Sequence, residues 1–83
     1  MNEAIRKEQT FKILVDRKPH DWPEPFITGA QIKKLAAVDP AAYDAWQDVL
    51  GPEDVLIGDD EKADLRRPGA ERFFTGKKTT TEG

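Results

Sequence analysis

The sequence predicts an α+β domain in which one helix packs across a mixed β-sheet. Three observations indicate this fold class. An apolar alternation over Thr10–Asp16 is typical of a strand, and a capping sequence at Thr28 begins a helix. A further apolar segment, Glu71–Thr75, supplies a last strand. Because the chain has only 83 residues, these elements must share one thin core.

The first strand is predicted over residues 10–16, where Phe11, Ile13 and Val15 alternate with other side chains. Leu14 lies on the second face, which indicates a central strand that is partly covered on both sides. The polar residues that follow, Asp16–Pro19, predict a turn.

A second extended segment is predicted over His20–Ile27. Trp22 and Phe26 share one side of it, but Pro23 and Pro25 lack the amide hydrogen that a central strand donates. We therefore expect an edge strand or a polyproline-like run beside the first strand.

The helix is predicted to begin at Thr28, because Thr28 is a good N-cap and Gln31 completes a capping box. Asp39 should end the helix, since the following Pro40 disfavours helical geometry in the residue before it. The helix would then be about ten residues long, which is short enough to need a sheet to pack on.

One face of this helix is apolar at the i, i+3, i+4 spacing of a buried stripe, and Ile32, Leu35 and Ala36 form it. Lys33 and Lys34 are expected to point outward.

Two more strands are predicted after the helix, over Tyr43–Val49 and Glu71–Thr75, although Ala41, Ala42 and Ala45 would also allow a helix in the first of them. Val55–Ile57 is a short apolar segment between them. Polar turns at Gly58–Glu61 and Pro68–Gly69 separate them. The predicted core comprises Phe11, Ile13, Val15, Ile32, Leu35, Ile57, Leu65 and Phe73.

The element order is hairpin, helix, strands and a last strand, which is the layout of a β-grasp fold. The right-handed crossover rule favours parallel pairing of the first and last strands. The predicted organisation is a flexible arm over residues 1–9, a domain over residues 10–75 and a flexible tail over residues 76–83.

The composition argues against several function classes. The net charge is −3 and the pI is about 5.1, whereas nucleic-acid-binding proteins usually carry a basic face. The chain has no cysteine for disulfides, thiolate metal sites or nucleophilic catalysis. It has no apolar run near the roughly 20 residues that span a bilayer, so we expect a cytoplasmic protein.

The sequence offers little material for catalysis or metal binding. The single histidine, His20, lies near a turn between prolines and is read as a surface or packing residue rather than a general base. Asp59, Asp60, Glu61 and Asp64 are acidic, but they lack the spacing of an EF-hand loop. We interpret this cluster as a solvated turn and expect no cofactor.

Three stretches of the sequence resemble the bacterial multiubiquitin family of ubiquitin-like β-grasp proteins. These are TFKILVDRK, FITGAQIKKLAAVDPAAYDAW and DLRRPGAERFFTG, and the resemblance covers Thr10 to about Gly76. Its most specific parts are TG-x-x-I-x-x-LA, over Thr28–Ala36, and PG-x-ERFFT, over Pro68–Thr75.

The resemblance implies a protein modifier whose carboxyl-terminal glycine, Gly83, is joined to target proteins. Thr79, Thr80, Thr81 and Glu82 would form the tail that leads to this glycine. A terminal glycine has no β-carbon, which lets its carboxylate enter a narrow channel. Fully extended, residues 75–83 reach at most about 25–30 Å, enough to enter such a channel.

The partners that the resemblance implies are an E1-like adenylating enzyme, an E2-like conjugating enzyme, a JAB-type metallopeptidase and the target proteins. ATP and magnesium would be bound by the activating enzyme. The sequence departs from the better-known family pattern in two ways: it holds one domain rather than a tandem array, and it ends Glu82-Gly83 rather than in two glycines. The single domain favours a free modifier over a polymer precursor.

Two alternatives stay open on the sequence. A β-grasp sulfur carrier undergoes the same activation, after which its terminal carboxylate becomes a thiocarboxylate. A non-conjugated binding module would use only its surface and not its tail.

A recognition surface is predicted on one face of the sheet. Asp44, Trp46 and Asp48 share a face by the period of two, and their carboxylates indicate that this face meets water. Phe73 in the core places Phe74 and Arg72 on the outside. We therefore expect partner enzymes to bind a patch of Trp46, Arg72 and Phe74. In the competing arrangement Trp46 fills the core, and Tyr43 and Ala45 lie outside.

Overall fold

The computed structural model describes residues 10–49 and 53–78, which form seven strands and one helix. In chain order these are β1 (Phe11–Val15), β2 (Lys18–Trp22), β3 (Phe26–Thr28), α1 (Gly29–Ala36), β4 (Tyr43–Gln47), β5 (Val55–Ile57), β6 (Lys62–Asp64) and β7 (Arg72–Lys77).

Five of the strands form one mixed sheet in the order β2-β1-β7-β4-β5. β1 and β7 are parallel neighbours at its centre, and the other pairs are antiparallel. Helix α1 packs on one face of this sheet, with contacts to β1, β4 and β7. The predicted α+β fold class and the parallel pairing of first and last strands are confirmed.

The predicted helix start is confirmed at the level of single hydrogen bonds. The Thr28 hydroxyl accepts from the Gln31 N–H at 3.2 Å, and the Gln31 side chain accepts from the Thr28 N–H at 2.8 Å. The predicted end is wrong, because α1 stops at Ala36 after eight residues. Ala37 turns into the left-handed region, with φ of 60°, and its N–H closes the last turn on the Lys34 carbonyl.

The core lies between α1, the inner face of the large sheet and the small sheet of β3 and β6. Six of the eight predicted core residues are buried there, and Phe11 and Leu35 pack against them half-buried. Three further buried members of this cluster were not predicted from the sequence. These are Ile27, Ala45 and Ala63.

The segment predicted as one extended run, His20–Ile27, is two strands in two different sheets. The Trp22 indole N–H donates to the Phe26 carbonyl at 2.8 Å and closes the bend between them. After the bend β3 leaves β1 and pairs antiparallel with β6 instead. The run of prolines explains the break, since proline cannot continue a hydrogen-bonded ladder beside β1.

Lys33 is buried, with 3% of its surface exposed, so the prediction that it points outward is wrong. Its ammonium donates to the Asp59 carboxylate at 2.7 Å and to the Pro40 carbonyl at 3.0 Å. The turn after β5 lies over the amino-terminal half of α1 and supplies the carboxylate. This ion pair holds the pKa of Asp59 below its ordinary value of 3.8, chiefly through the hydrogen bond from Lys33.

We expect Asp59→Ala to destabilise the domain, because it leaves the buried Lys33 ammonium without its counter-charge. Lys33→Met should be nearly neutral and should remove the effect of Asp59→Ala in the double variant. Since the folded pKa of Asp59 is lowered, the stability from this pair is complete above pH 3.8 and is lost as the pH falls through the folded pKa.

Thermal unfolding at several pH values measures both effects. Asp60→Ala is the matched control, because Asp60 is an exposed carboxylate in the same turn. Equal melting temperatures for the Asp59 and Asp60 variants near neutral pH would contradict a structural role for the pair.

No helix in the part of the chain described here is long and apolar enough to cross a membrane.

Candidate recognition face and tail

The sheet face opposite α1, called the outer face below, carries an aromatic stack. Trp46 of β4 lies directly opposite Phe74 of β7 in the antiparallel register. The two ring centroids are 6.3 Å apart and the ring planes differ by 7°. Such offset stacking stabilises an aromatic pair beyond the area that it buries.

The alternation along both strands places this stack outside the core. Ala45 and Phe73 are buried on the inner face, with 0% and 3% of their surfaces exposed, whereas Trp46 and Phe74 are half-buried. The structure therefore excludes the arrangement in which Trp46 fills the core and Ala45 lies outside. Arg72 is exposed and lies two residues before Phe74 on the same side of β7.

Trp46, Phe74 and Arg72, together called the outer patch, continue into apolar neighbours on both sides. Leu56 of β5 lies opposite Trp46 and is 49% exposed. Leu14 of β1 lies beside Arg72 in the parallel register and is half-buried. The sequence reasoning did not include either leucine, although their strand registers would have placed both on this face.

An open cleft of about 860 Å³ borders the outer patch at the β1–β2 turn. Its lining combines apolar and charged residues. The lining residues are Leu14, Asp16, Arg17, Lys18, Asp48, Arg72, Phe73 and Phe74. The aromatic pair is therefore next to a concave surface with three basic side chains.

Hydrogen bonds that the Asp16 carboxylate accepts fix the position of this cleft. Asp16 and Arg17 form a two-residue hairpin turn with φ of 52° and 71°, the left-handed geometry that suits such turns. The Asp16 carboxylate accepts from the backbone N–H and the hydroxyl of Thr75, at 2.8 and 2.7 Å. The turn is thus attached to β7, which holds Arg17 and Lys18 near Arg72.

The strand that carries Phe74 leads directly towards the predicted tail. β7 runs to Lys77, two residues beyond the predicted end at Thr75, because Gly76 and Lys77 pair with Asp44 and Tyr43. The Lys78 N–H then donates to the Ala42 carbonyl at 2.9 Å.

Gly76 has no side chain, so this position does not cover the neighbouring Trp46 indole. A β-carbon at Gly76 would lie 4.0 Å from Trp46 Nε1. The predicted tail residues Thr79, Thr80, Thr81 and Glu82, the predicted conjugation residue Gly83 and the predicted arm over residues 1–9 lie outside the described residues.

His20 and the acidic residues that follow β5 lie on different elements of the described fold. His20 is half-buried in β2, opposite Ile13. The acidic residues after β5 make contacts within the fold: Asp59 holds Lys33, and the Glu61 carboxylate accepts from the Gly58 N–H at 2.7 Å. Across residues 10–49 and 53–78, no three His, Cys, Asp or Glu side chains are placed to hold a metal ion.

Comparison with known proteins places the chain in a protein family. The family model of multiubiquitin matches residues 11–78, which covers all seven strands and the helix. Among curated proteins and among solved structures, no match was found. The family and the mixed sheet with its crossing helix together identify a ubiquitin-like domain, and the chain belongs to the multiubiquitin family.

Proposed function

We propose that this chain is a cytoplasmic protein modifier. An E1-like enzyme activates the Gly83 carboxylate, and the activated chain is then joined to target proteins. The observation that carries the proposal is the match to the multiubiquitin family over residues 11–78. The outer patch supports it, because a stacked aromatic pair with a neighbouring arginine is the composition of an interface anchor.

The chemistry is acyl transfer, and the partner enzymes carry it out. The Gly83 carboxylate attacks the α-phosphorus of ATP on the activating enzyme, which forms an acyl-adenylate and releases pyrophosphate. A cysteine thiolate of the partner displaces AMP and forms a thioester. An amine of the target displaces that thiolate and forms an amide, and a JAB-type metallopeptidase would hydrolyse the same bond.

This chain contributes the acyl group and a recognition surface, and it is not itself an enzyme. Lys77 ends β7 on the strand that carries Phe74, so a partner bound at the outer patch is close to the start of the tail. The five residues after Lys78 span at most about 17 Å when extended. Binding at the patch would therefore restrict where Gly83 can reach, which raises its effective concentration at a nearby active site.

The test is incubation of the full chain with an E1-like enzyme, ATP and magnesium, followed by pyrophosphate exchange and intact mass measurement. Deletion of Gly83, or Gly83→Ala, should abolish or sharply reduce exchange, because the deletion moves the terminal carboxylate back to Glu82 and the alanine adds a β-carbon that obstructs a narrow channel. The domain should stay folded, since the tail lies beyond the last strand. Unchanged exchange in both variants would exclude the proposed role of Gly83.

The same measurement separates the alternatives. A covalent adduct whose mass equals the chain plus a target protein, less water, supports the modifier. A mass gain equal to the replacement of one oxygen by sulfur supports a sulfur carrier. A binding module is supported if the chain is not activated and if a chain without its tail keeps its full function.

A further inference from the structure

Two strands with unpaired edges border a second cleft of the domain. Among the strands that the structure describes, β5 is the last strand of the five-stranded sheet, and β6 pairs only with β3. All three residues of each strand line an open cleft of about 820 Å³, called the edge cleft below. An unpaired strand edge exposes backbone donors and acceptors, which makes it a template for another strand.

The hydrogen-bond pattern of β4 shows which groups of β5 are free. The Asp48 N–H donates to the Arg72 carbonyl, and the Lys78 N–H donates to the Ala42 carbonyl. Because antiparallel pairs alternate, the even-numbered residues of β4 bond to β7, and Ala45 and Gln47 bond to β5. Leu56, between their two partners on β5, therefore directs its N–H and carbonyl away from β4.

The same reasoning applies to β6. The Leu65 N–H donates to the Pro25 carbonyl at 2.7 Å, so Ala63, two residues earlier, also bonds to β3. Lys62 and Asp64 then direct their backbone groups away from β3. Within residues 10–49 and 53–78, no backbone hydrogen bond satisfies these groups of Leu56, Lys62 or Asp64.

The side chains of the edge cleft suit an extended apolar segment. Val55 and Leu56 are 45% and 49% exposed, the two exposed large hydrophobic residues of the described chain. The lining residues Ala63 and Ala70 are small and buried, and Gly69 adds no side chain. The cleft therefore combines apolar and small lining residues with charged ones.

The lining holds two cations, Lys62 and Arg67, and the Lys62 ammonium lies 5.9 Å from the centre of the Phe26 ring. Asp64 is held by Arg66 through Nε at 2.9 Å and a terminal guanidinium nitrogen at 3.0 Å, and these bonds lower the pKa of Asp64 to about 2. Arg67 also lines the cleft, and it makes no ion pair with any residue that the structure describes. A carboxylate on the ligand would complement Arg67.

We propose that the edge cleft binds an extended peptide segment of a partner protein, which adds a strand along β5 and β6. The segment presents small apolar side chains to Ala63 and Ala70 and a carboxylate to Arg67. Main-chain hydrogen bonds to Leu56, Lys62 and Asp64 supply affinity, as in other cases of strand addition. This binding function is separate from the tail and does not depend on activation of Gly83, although Leu56 borders both the edge cleft and the outer patch.

The probe is a heptapeptide of sequence TVEVAVT, acetylated and amidated, titrated into the isotope-labelled full chain. Amide hydrogen exchange of Leu56, Lys62 and Asp64 should slow by about tenfold or more at saturation, because their edges become paired. The same peptide with N-methylated valines should not bind, since it has lost the donors on one side. Unchanged exchange at these amides would overturn the proposal.

Variants separate backbone pairing from apolar contact. Leu56→Pro removes the free N–H but keeps the bonds of Ala45 and Gln47 to β5, so it should raise the Kd about tenfold or more. Leu56→Ala is the matched control, because it shortens the side chain and keeps the N–H, and it should weaken binding less. Arg67→Ala should weaken binding of TVEVAVT but not of TVQVAVT.

Two outcomes would contradict the proposal. Equal affinity of the Pro and Ala variants at Leu56 would show that the peptide does not pair with this edge. A concentration-dependent dimer that protects the same amides without peptide would make a second copy of the chain the occupant. If the NMR signals of residues outside the cleft stay native in each variant, the effect of that substitution on binding is local.

Discussion

Substitution of Gly29 by alanine should destabilise the domain by about 3 kcal/mol, because the added β-carbon has no space. It would overlap the carbonyl oxygens of Ile57 and Gly58 and would lie 2.7 Å from the Gly58 carbonyl carbon. All three atoms belong to the backbone, so no side-chain rotation relieves the contact. The Gly29 N–H also donates to the Gly58 carbonyl at 3.1 Å, and moving the helix would break this bond.

Chemical denaturation and thermal unfolding measure the effect, and a loss of about 3 kcal/mol lowers the melting temperature of a domain this size by about 15 °C. Gly69→Ala is the matched control. Gly69 has φ of 77° and nothing near its missing β-carbon, so the change costs only left-handed strain of about 1 kcal/mol. Equal losses for the two variants would show that close packing of the helix start on the β5–β6 turn is not important.

At the start of the helix, one feature could be predicted from the sequence and another could not. Thr28 and Gln31 predicted the capping box because both hydrogen bonds are local and depend on residues three positions apart. The reason for Gly29 could not be predicted, since the atoms that exclude a side chain there come from residues 57 and 58. Local chemistry fixes where the helix begins, and a long-range contact fixes which residue can follow the cap.

Lys33 shows a failure of the same kind. On the helix it lies beside the apolar stripe, and its charge predicted an outward position. The structure buries it because the Asp59 carboxylate and the Pro40 carbonyl accept hydrogen bonds from its ammonium. Asp59 is distant in sequence, and Pro40 lies beyond the turn that follows the helix. A buried lysine needs such a partner, and no pattern within the helix identifies one.

The strand pairing of β3 and β6 was also missed, because three-residue strands carry too little alternation to be recognised. In contrast, β4 and β7 alternate over enough residues for the outward face of each to be read directly. That is why the neighbouring positions of Trp46 and Phe74 could be predicted. The patch was not extended to Leu14 and Leu56, because the pairing of their strands was not assigned residue by residue.

If the activating enzyme binds the outer patch, Trp46→Ala should raise the KM of this chain in pyrophosphate exchange about 30-fold and leave kcat nearly unchanged. Loss of a half-buried tryptophan at the centre of an interface costs about 2 kcal/mol or more of binding. Since the tail and its carboxylate are intact, the chemical step of a bound chain should proceed at the normal rate. Gly83 variants should show the opposite pattern, with kcat reduced.

The control must remove an aromatic residue from the same strand without changing the outer face. Tyr43→Ala does this, because Tyr43 shares the inner side of β4 with the buried Ala45. If both variants keep a native circular dichroism spectrum, only Trp46→Ala should raise KM, and Arg72→Glu should raise it as well. A KM that is unchanged by Trp46→Ala, or raised equally by Tyr43→Ala, would mean that the activating enzyme recognises a different surface.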